Sequence, residues 1–110
     1  MGVLCLNTRN RVIREVKLYK GTVNSAQVRP AEVIRPAIQI NAPAILIGHN
    51  HPSGSLKASP DDIRITKEII KSGKIMGIDV LDHLIVVPNN FTSIRNKYGY
   101  IFGDGARSKK

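Results

Sequence analysis

Aromatic side chains make up only 5% of these 110 residues, and tryptophan is absent. A stacking surface for single-stranded nucleic acid is therefore poorly stocked. There is one cysteine, Cys5, so no intramolecular disulfide framework can form. It falls in an apolar run and reads as a small buried residue rather than a nucleophile. No apolar stretch approaches the ~20 residues a membrane helix needs, and no membrane association is expected. The opening MGVLCLNTRNR has no basic segment leading into an apolar one, so it does not read as a secretory leader. A cytoplasmic location is the default. Acids are scarce as well: 8 Asp and Glu stand against 17 Lys and Arg, a formal charge of +9.

What remains is one ordinary globular domain. With 42% hydrophobic residues, a chain this long can bury roughly two-thirds of its unfolded surface around a single core. The positive charge is dispersed. Arg9, Arg11, Arg14, Lys17 and Lys20 fall in the first strands; Arg64, Lys67, Lys71 and Lys74 share one helix; Lys109 and Lys110 end the tail. Such a distribution reads first as a solvated basic surface. Its second reading is sequence-independent contact with phosphate, which makes DNA a candidate partner.

The runs Val3-Leu4-Cys5-Leu6 and Val12 to Val23, separated by Asn7-Thr8-Arg9-Asn10, predict a β-hairpin with one solvated face. Ser25 to Arg29 reads as loop. Pro30 suits a first helical position, and the spacing predicts a helix over 30–40 that Pro36 should kink or split. Ala44-Ile45-Leu46-Ile47 is a buried strand running out into Gly48-His49-Asn50-His51-Pro52-Ser53-Gly54. Ser59-Pro60-Asp61-Asp62 opens a second helix, with Ser as N-cap, Pro first and acids in the first turn. That helix should end near Gly77, with Ile63, Thr66, Ile69 and Ile70 as its inner stripe. Residues 80–87 form another buried strand and Phe91 to Ile94 a short last one. From Asn96 on there is little pattern, and residues 103–110 read as a flexible basic tail after a domain over 1–102. The expected class is α/β: a single domain, order ββαβαββ, with helices flanking a curved mixed sheet. Its exposed edge strands permit self-pairing, so the oligomeric state stays open.

The residues that carry chemistry are His49, His51 and Asp62. Side chains two apart on a strand point to one side, so the two imidazoles can converge. Asp62 lies eleven residues after His51, in the first turn of the next helix, and a strand-loop-helix can fold it back onto them. Two neutral imidazoles and a carboxylate suit zinc, and three protein ligands leave a fourth position for water. Each part also has a plainer reading. His-x-His occurs by chance, and Ser59 to Asp62 is a complete helix start without any metal. One capped helix start can serve both ends. His83 reads as a satisfied core residue, or as one that orients a ligand from behind.

His-x-His-Pro followed by Ser-x-x-Asp, with ten residues between His51 and Asp62, resembles the JAMM (MPN-plus) metalloprotease motif. The fuller pattern resembles the bacterial RadC family more closely: His49-Asn50-His51-Pro52-Ser53-Gly54, then Ser59 and Asp62, then Leu81-Asp82-His83, with Lys20-Gly21-Thr22 after the hairpin. The likeness covers roughly residues 3–95. It implies a cytidine-deaminase-like (JAMM/MPN) fold around one Zn2+ held by His49, His51 and Asp62. It implies Ser59 as the catalytic hydroxyl that hydrogen-bonds the reacting oxygen. The implied reaction is hydrolysis of an amide or isopeptide bond in a peptide or protein by a zinc-activated water, and the implied association is with DNA repair. It also implies a glutamate just ahead of Val3. Met1-Gly2 stand there instead, and the only acids before His49 are Glu15, read as a surface partner of an arginine, and Glu32, read as a helix-dipole residue. The sequence therefore reads as a domain cut from that family, or a shortened member, in which metal binding outlasts peptidase turnover. A metal-bearing, catalytically silent interaction module is the alternative.

Overall fold

A computed structural model describes residues 1–21, 23–51 and 53–104. Strands β1 (Gly2–Leu6) and β2 (Val12–Lys17) form the expected antiparallel hairpin. Its turn is held by the Asn7 side chain, which accepts the amides of Arg9 (2.9 Å) and Arg11 (3.0 Å). β2 ends at Lys17, well short of the predicted Val23, and Lys20 stands beyond it. Strand β1 also pairs antiparallel with β3 (Ala44–Asn50), which runs parallel to β4 (Asp79–Val87); β4 pairs antiparallel with β5 (Asn90–Ser93). The result is one mixed sheet of five strands in the order β2-β1-β3-β4-β5. The parallel pair is interior to the sheet, which is why apolar residues dominate both of its strands.

Helices α1 (Pro30–Gln39) and α2 (Pro60–Met76) pack against each other and against one sheet face. The core between them joins Val3, Cys5, Ile45 and Ile47 of the sheet to Val33, Ile34, Ile65 and Ile69 of the helices. Cys5 is fully buried and packed there, and burial pushes its thiol above the usual value, as suits an inert core residue.

Four expectations need correction. Pro36 does not split α1: it removes one backbone donor, but it is buried between Ile34 and Ala37, and its carbonyl accepts from the Arg14 guanidinium at 3.1 Å. The buried stripe of α2 is Asp62, Ile65, Thr66, Ile69 and Gly73, while Ile63 and Ile70 are half-buried at its margins. Ser25–Gln27 is a 3-10 turn rather than loop. After β5 the chain is ordered: α3 (Ile94–Tyr98) and a 3-10 turn (Gly99–Phe102) follow. Asp82 organises that segment, accepting from the Ser93 hydroxyl (2.5 Å) and the Arg95 amide (3.0 Å). Arg95 in turn forks onto Asp104 at 2.8 and 2.7 Å. Gly103 and Asp104 of the expected tail are thus tied down, while 105–110 lie outside the described residues.

Candidate metal centre

The site is built where β3 leaves the sheet and α2 begins. His49 is the sixth residue of β3 and faces the helices. His51 lies just past the strand, but its amide still donates to Val86 of β4 at 3.0 Å, so the extended backbone continues and the two rings project to the same side. Asp62 reaches them from the third position of α2. The carboxylate is 1% exposed and the His49 side chain 4%, so the cluster is walled off from bulk water on that side. His49 Nδ1 is 3.3 Å from Asp62 Oδ1, and His51 Nε2 is 3.0 Å from Asp62 Oδ2. One ligand atom from each residue lies within 4.8 Å of the others. Among the described residues no further His, Cys, Asp or Glu joins this group.

The far nitrogens of the two rings are also engaged. His49 Nε2 donates to the Val23 carbonyl at 2.9 Å, and His51 Nδ1 to the Ser55 carbonyl at 3.1 Å. A carbonyl can only accept, so each ring spends a proton there. In the neutral rings, the nitrogens facing Asp62 are therefore bare lone pairs. Two lone pairs turned on opposite oxygens of one carboxylate repel it unless a cation lies between. Rings fixed in this way from behind are the usual arrangement around a bound metal. The donor set, two imidazole nitrogens and one carboxylate, fits a borderline divalent cation.

Asp62 is also the capping residue of its own helix. The Ser59 hydroxyl accepts the Asp62 amide at 3.0 Å, and the Ser59 amide donates to Asp62 Oδ2 at 2.8 Å, a complete capping box. The capping reading is realised, and the same carboxylate faces both imidazoles. Burial pushes the Asp62 carboxyl upward, but the hydrogen bonds it accepts from the Ser25 hydroxyl and the Ser59 amide outweigh it and hold the group well below the usual carboxylate range.

Ser25 is the site residue that sequence reasoning missed. Its hydroxyl donates to Asp62 Oδ1 and lies 3.4 Å from His49 Nδ1, and the residue is buried. The preceding Asn24 caps the 3-10 turn that carries it, accepting the Ala26 amide at 3.0 Å. An Asn-Ser pair ahead of Pro30 signals a capped turn, but nothing in it tells that the turn meets a residue 37 positions on. Asn50 is exposed and turned away from the cluster, as its parity requires. Glu32 is occupied by the Tyr19 hydroxyl at 2.8 Å, and Glu15 is exposed on β2; neither joins the cluster. On the sheet face opposite the helices, a groove of about 900 Å³ runs past Gly2, Leu4, Leu46, Gly48 and Leu84 and reaches His51.

A mixed five-stranded sheet that presents a His-x-His pair to a capped helix aspartate defines an α/β domain of the JAB/MPN type with a group able to hold a metal ion. The sequence profile of the RadC-like JAB domain matches residues 1–100. The chain belongs to that family. It is 43% identical over 97 residues to a UPF0758 protein of Roseiflexus castenholzii, an overlap covering 88% of this chain and 42% of that protein. It is 47% identical over 92 residues to a UPF0758 protein of Desulforudis audaxviator, covering 84% and 40% respectively. A UPF0758 protein of Staphylococcus aureus is 48% identical over 92 residues, again 84% and 40%. The chain thus spans about 40% of the length of these curated relatives. Among the described residues no helix is long and apolar enough to cross a membrane.

Proposed function

We propose that this chain is the zinc-binding part of a metallohydrolase that cleaves amide or isopeptide bonds in a peptide or protein. One observation carries the reading. Both imidazoles are pinned through one nitrogen to main-chain carbonyls and turn the other onto the same carboxylate, an arrangement that a divalent cation completes. His49 Nδ1, His51 Nε2 and Asp62 would hold the ion. A zinc ion so held supplies a Lewis acid that polarises the scissile carbonyl and brings the pKa of a water to about 7. The chain's own contribution is positioning. Ser25 and the Ser59 amide fix the carboxylate, and the Ser59 hydroxyl donates to the oxygen on which charge develops. The groove reaching His51 gives an extended substrate a path to the site. The water's proton needs an acceptor that neither Glu15 nor Glu32 provides, and the glutamate of the family pattern ahead of Val3 would fill that role.

The first experiment is metal content by elemental analysis of protein purified without chelator, beside His49→Ala and Asp62→Ala. About one zinc per chain, lost in both variants, is expected. Adding zinc at 100 times its Kd to the stripped protein should stabilise it by about 2.7 kcal/mol. A well-folded wild type that holds no zinc sinks the reading. Peptide hydrolysis should then appear when the upstream glutamate segment of a relative is joined ahead of Met1.

A second reading, phosphate contact in a DNA-repair setting, has its own observation. Lys67, Lys71 and Lys74 are exposed at i, i+4 and i+7 on α2. Three phosphate contacts would give log K a slope of about −2.7 against log salt, and affinity that ignores salt would dispose of it.

A further inference from the structure

His83 has no part in the ligand set, yet it is the most completely buried histidine. It stands on β4 with no exposed surface. Its ring stacks on His49, with centroids 5.9 Å apart and planes 29° from parallel. Its Nδ1 lies 2.7 Å from Thr66 Oγ1 on α2, and the same oxygen lies 2.6 Å from the Asp62 carbonyl. Thr66 has one hydroxyl proton, and a carbonyl can only accept. That proton therefore goes to Asp62. His83 Nδ1 must then be the donor to Thr66, which fixes the neutral Nδ1–H tautomer. Burial, together with the facing His49, pushes its pKa down to about 3 and keeps the ring neutral. Nε2 is left as a bare buried lone pair with no partner among the described residues.

A ring chosen for packing alone would not carry an orphaned nitrogen into the core, because an aromatic hydrocarbon fills the space without that cost. What only the histidine supplies is the donated hydrogen bond to Thr66. We propose that His83 is a positioning residue of the metal centre: through Thr66 it sets the first turn of α2 that carries Asp62, and by stacking it sets the plane of the His49 ring. The inference rests on the zinc-site reading above. His83 stacks on His49 and reaches Asp62 only through Thr66, and it touches neither the ion nor a substrate.

The test measures zinc affinity of the full chain by competition with a chromophoric chelator, and the Co2+ d–d spectrum of the substituted site. His83→Phe keeps the stack and loses the donor. Thr66→Val loses the relay at constant shape. His83→Asn keeps an amide N–H where Nδ1 stood, and Thr66→Ser keeps the hydroxyl. His83→Phe and Thr66→Val should bind zinc about 10- to 100-fold more weakly, the usual cost of losing such a supporting contact, with an altered Co2+ spectrum. His83→Asn and Thr66→Ser should recover most of the affinity. A merely structural role would lower the melting temperature of the metal-free protein and leave affinity and spectrum unmoved. If wild type binds zinc and both disruptive variants bind it within twofold of wild type, the positioning role is overturned and the zinc site stands. If wild type binds no zinc, both fall together. Should His83→Phe fail to fold, the Thr66→Val and Thr66→Ser pair decides on the same criteria.

Discussion

Asp62 caps its helix and, in the proposed site, would hold the metal, and substitution can separate the two. Consider Asp62→Asn and Asp62→Ala in metal-free protein at pH 8, above the ordinary histidine range. The asparagine oxygen can still accept the Ser59 amide, which now sits 2.8 Å from Oδ2. Its NH2 can donate to the Ser25 oxygen, whose own proton turns to His49 Nδ1 at 3.4 Å. The Ser59 amide, Ser25 and His49 are thus satisfied by the amide, while His51 Nε2 still faces an oxygen, as it does in wild type. The lost term is the negative charge at the helix N-terminus, about 0.3–1 kcal/mol. Against it, two imidazole lone pairs no longer oppose a carboxylate. Metal-free Asp62→Asn should therefore melt within about 1 kcal/mol of wild type. Asp62→Ala loses half of the capping box, about 1 kcal/mol, and leaves the buried Ser25 hydroxyl only the long contact to His49 Nδ1 at 3.4 Å, about 1–2 kcal/mol more. At 4–8 °C per kcal/mol, its melting temperature should drop by roughly 8–24 °C. Both variants should bind zinc at least about 100-fold more weakly, because an anionic ligand is gone. Thermal melts with chelator and chelator-competition titrations give both quantities. If Asn and Ala lose stability equally, by 2 kcal/mol or more, the charge is a folding element, and the His-His-Asp group is an ion-pair cluster rather than a place for a metal.

Two further outcomes follow from the same packing. A Cβ on Gly73 would stand 2.5 Å from the Ile78 carbonyl, whose own amide is fixed to the Gly73 carbonyl at 2.7 Å to close the end of α2. Gly73→Ala gains about 1 kcal/mol of helix propensity but should lose about 2–4 kcal/mol to the clash and the broken cap, for a net loss of about 1–3. Gly77→Ala, at φ +74° with open space around its Cβ, should cost only the left-handed backbone, about 1–2 kcal/mol. Melts that rank Gly73→Ala above wild type would contradict the close approach. For pH, His83 titrates at about 3 when folded and near 6.5 when unfolded, so between those values the unfolded chain holds the extra proton. Stability should therefore fall as pH drops below about 6.5, by up to about 1.4 kcal/mol per unit, before Asp62, held low in the fold, adds its own loss below about 3.9. Urea titrations of metal-free protein at pH 7, 6, 5 and 4 measure the slope. His83→Asn should flatten it by about one proton, and an unchanged slope would mean that His83 is not held neutral.

The parts of the fold that were legible in the sequence are those where a local pattern and its long-range role coincide. β3 and β4 are interior and parallel, so apolar residues dominate both; α2 is opened by Ser59-Pro60 and closed by Gly77, each written in local backbone chemistry. Where the role is long-range alone, the sequence was silent. Ser25 meets Asp62 only after the sheet has closed. Residues 94–98, Ile-Arg-Asn-Lys-Tyr, carry no apolar period, and α3 is held instead by the Ser93 cap and by Asp82 on a different strand. The error on α2 is the most instructive. The expected stripe of Ile63, Thr66, Ile69 and Ile70 shares Thr66 and Ile69 with the buried line of Asp62, Ile65, Thr66, Ile69 and Gly73, but takes Ile63 and Ile70 where Asp62, Ile65 and Gly73 belong. That line reaches the first turn of the helix only if a carboxylate belongs to it. Once Asp62 is required to face His49 and His51, the helix rotation is set, Ile65 turns into the core, and Thr66 comes beneath His83 with no further freedom. The polar residues of the site therefore orient α2 at least as firmly as its isoleucines do. A reading that assigns the metal ligands first and the hydrophobic stripe second would recover both the ligand set and the Thr66–His83 contact behind it.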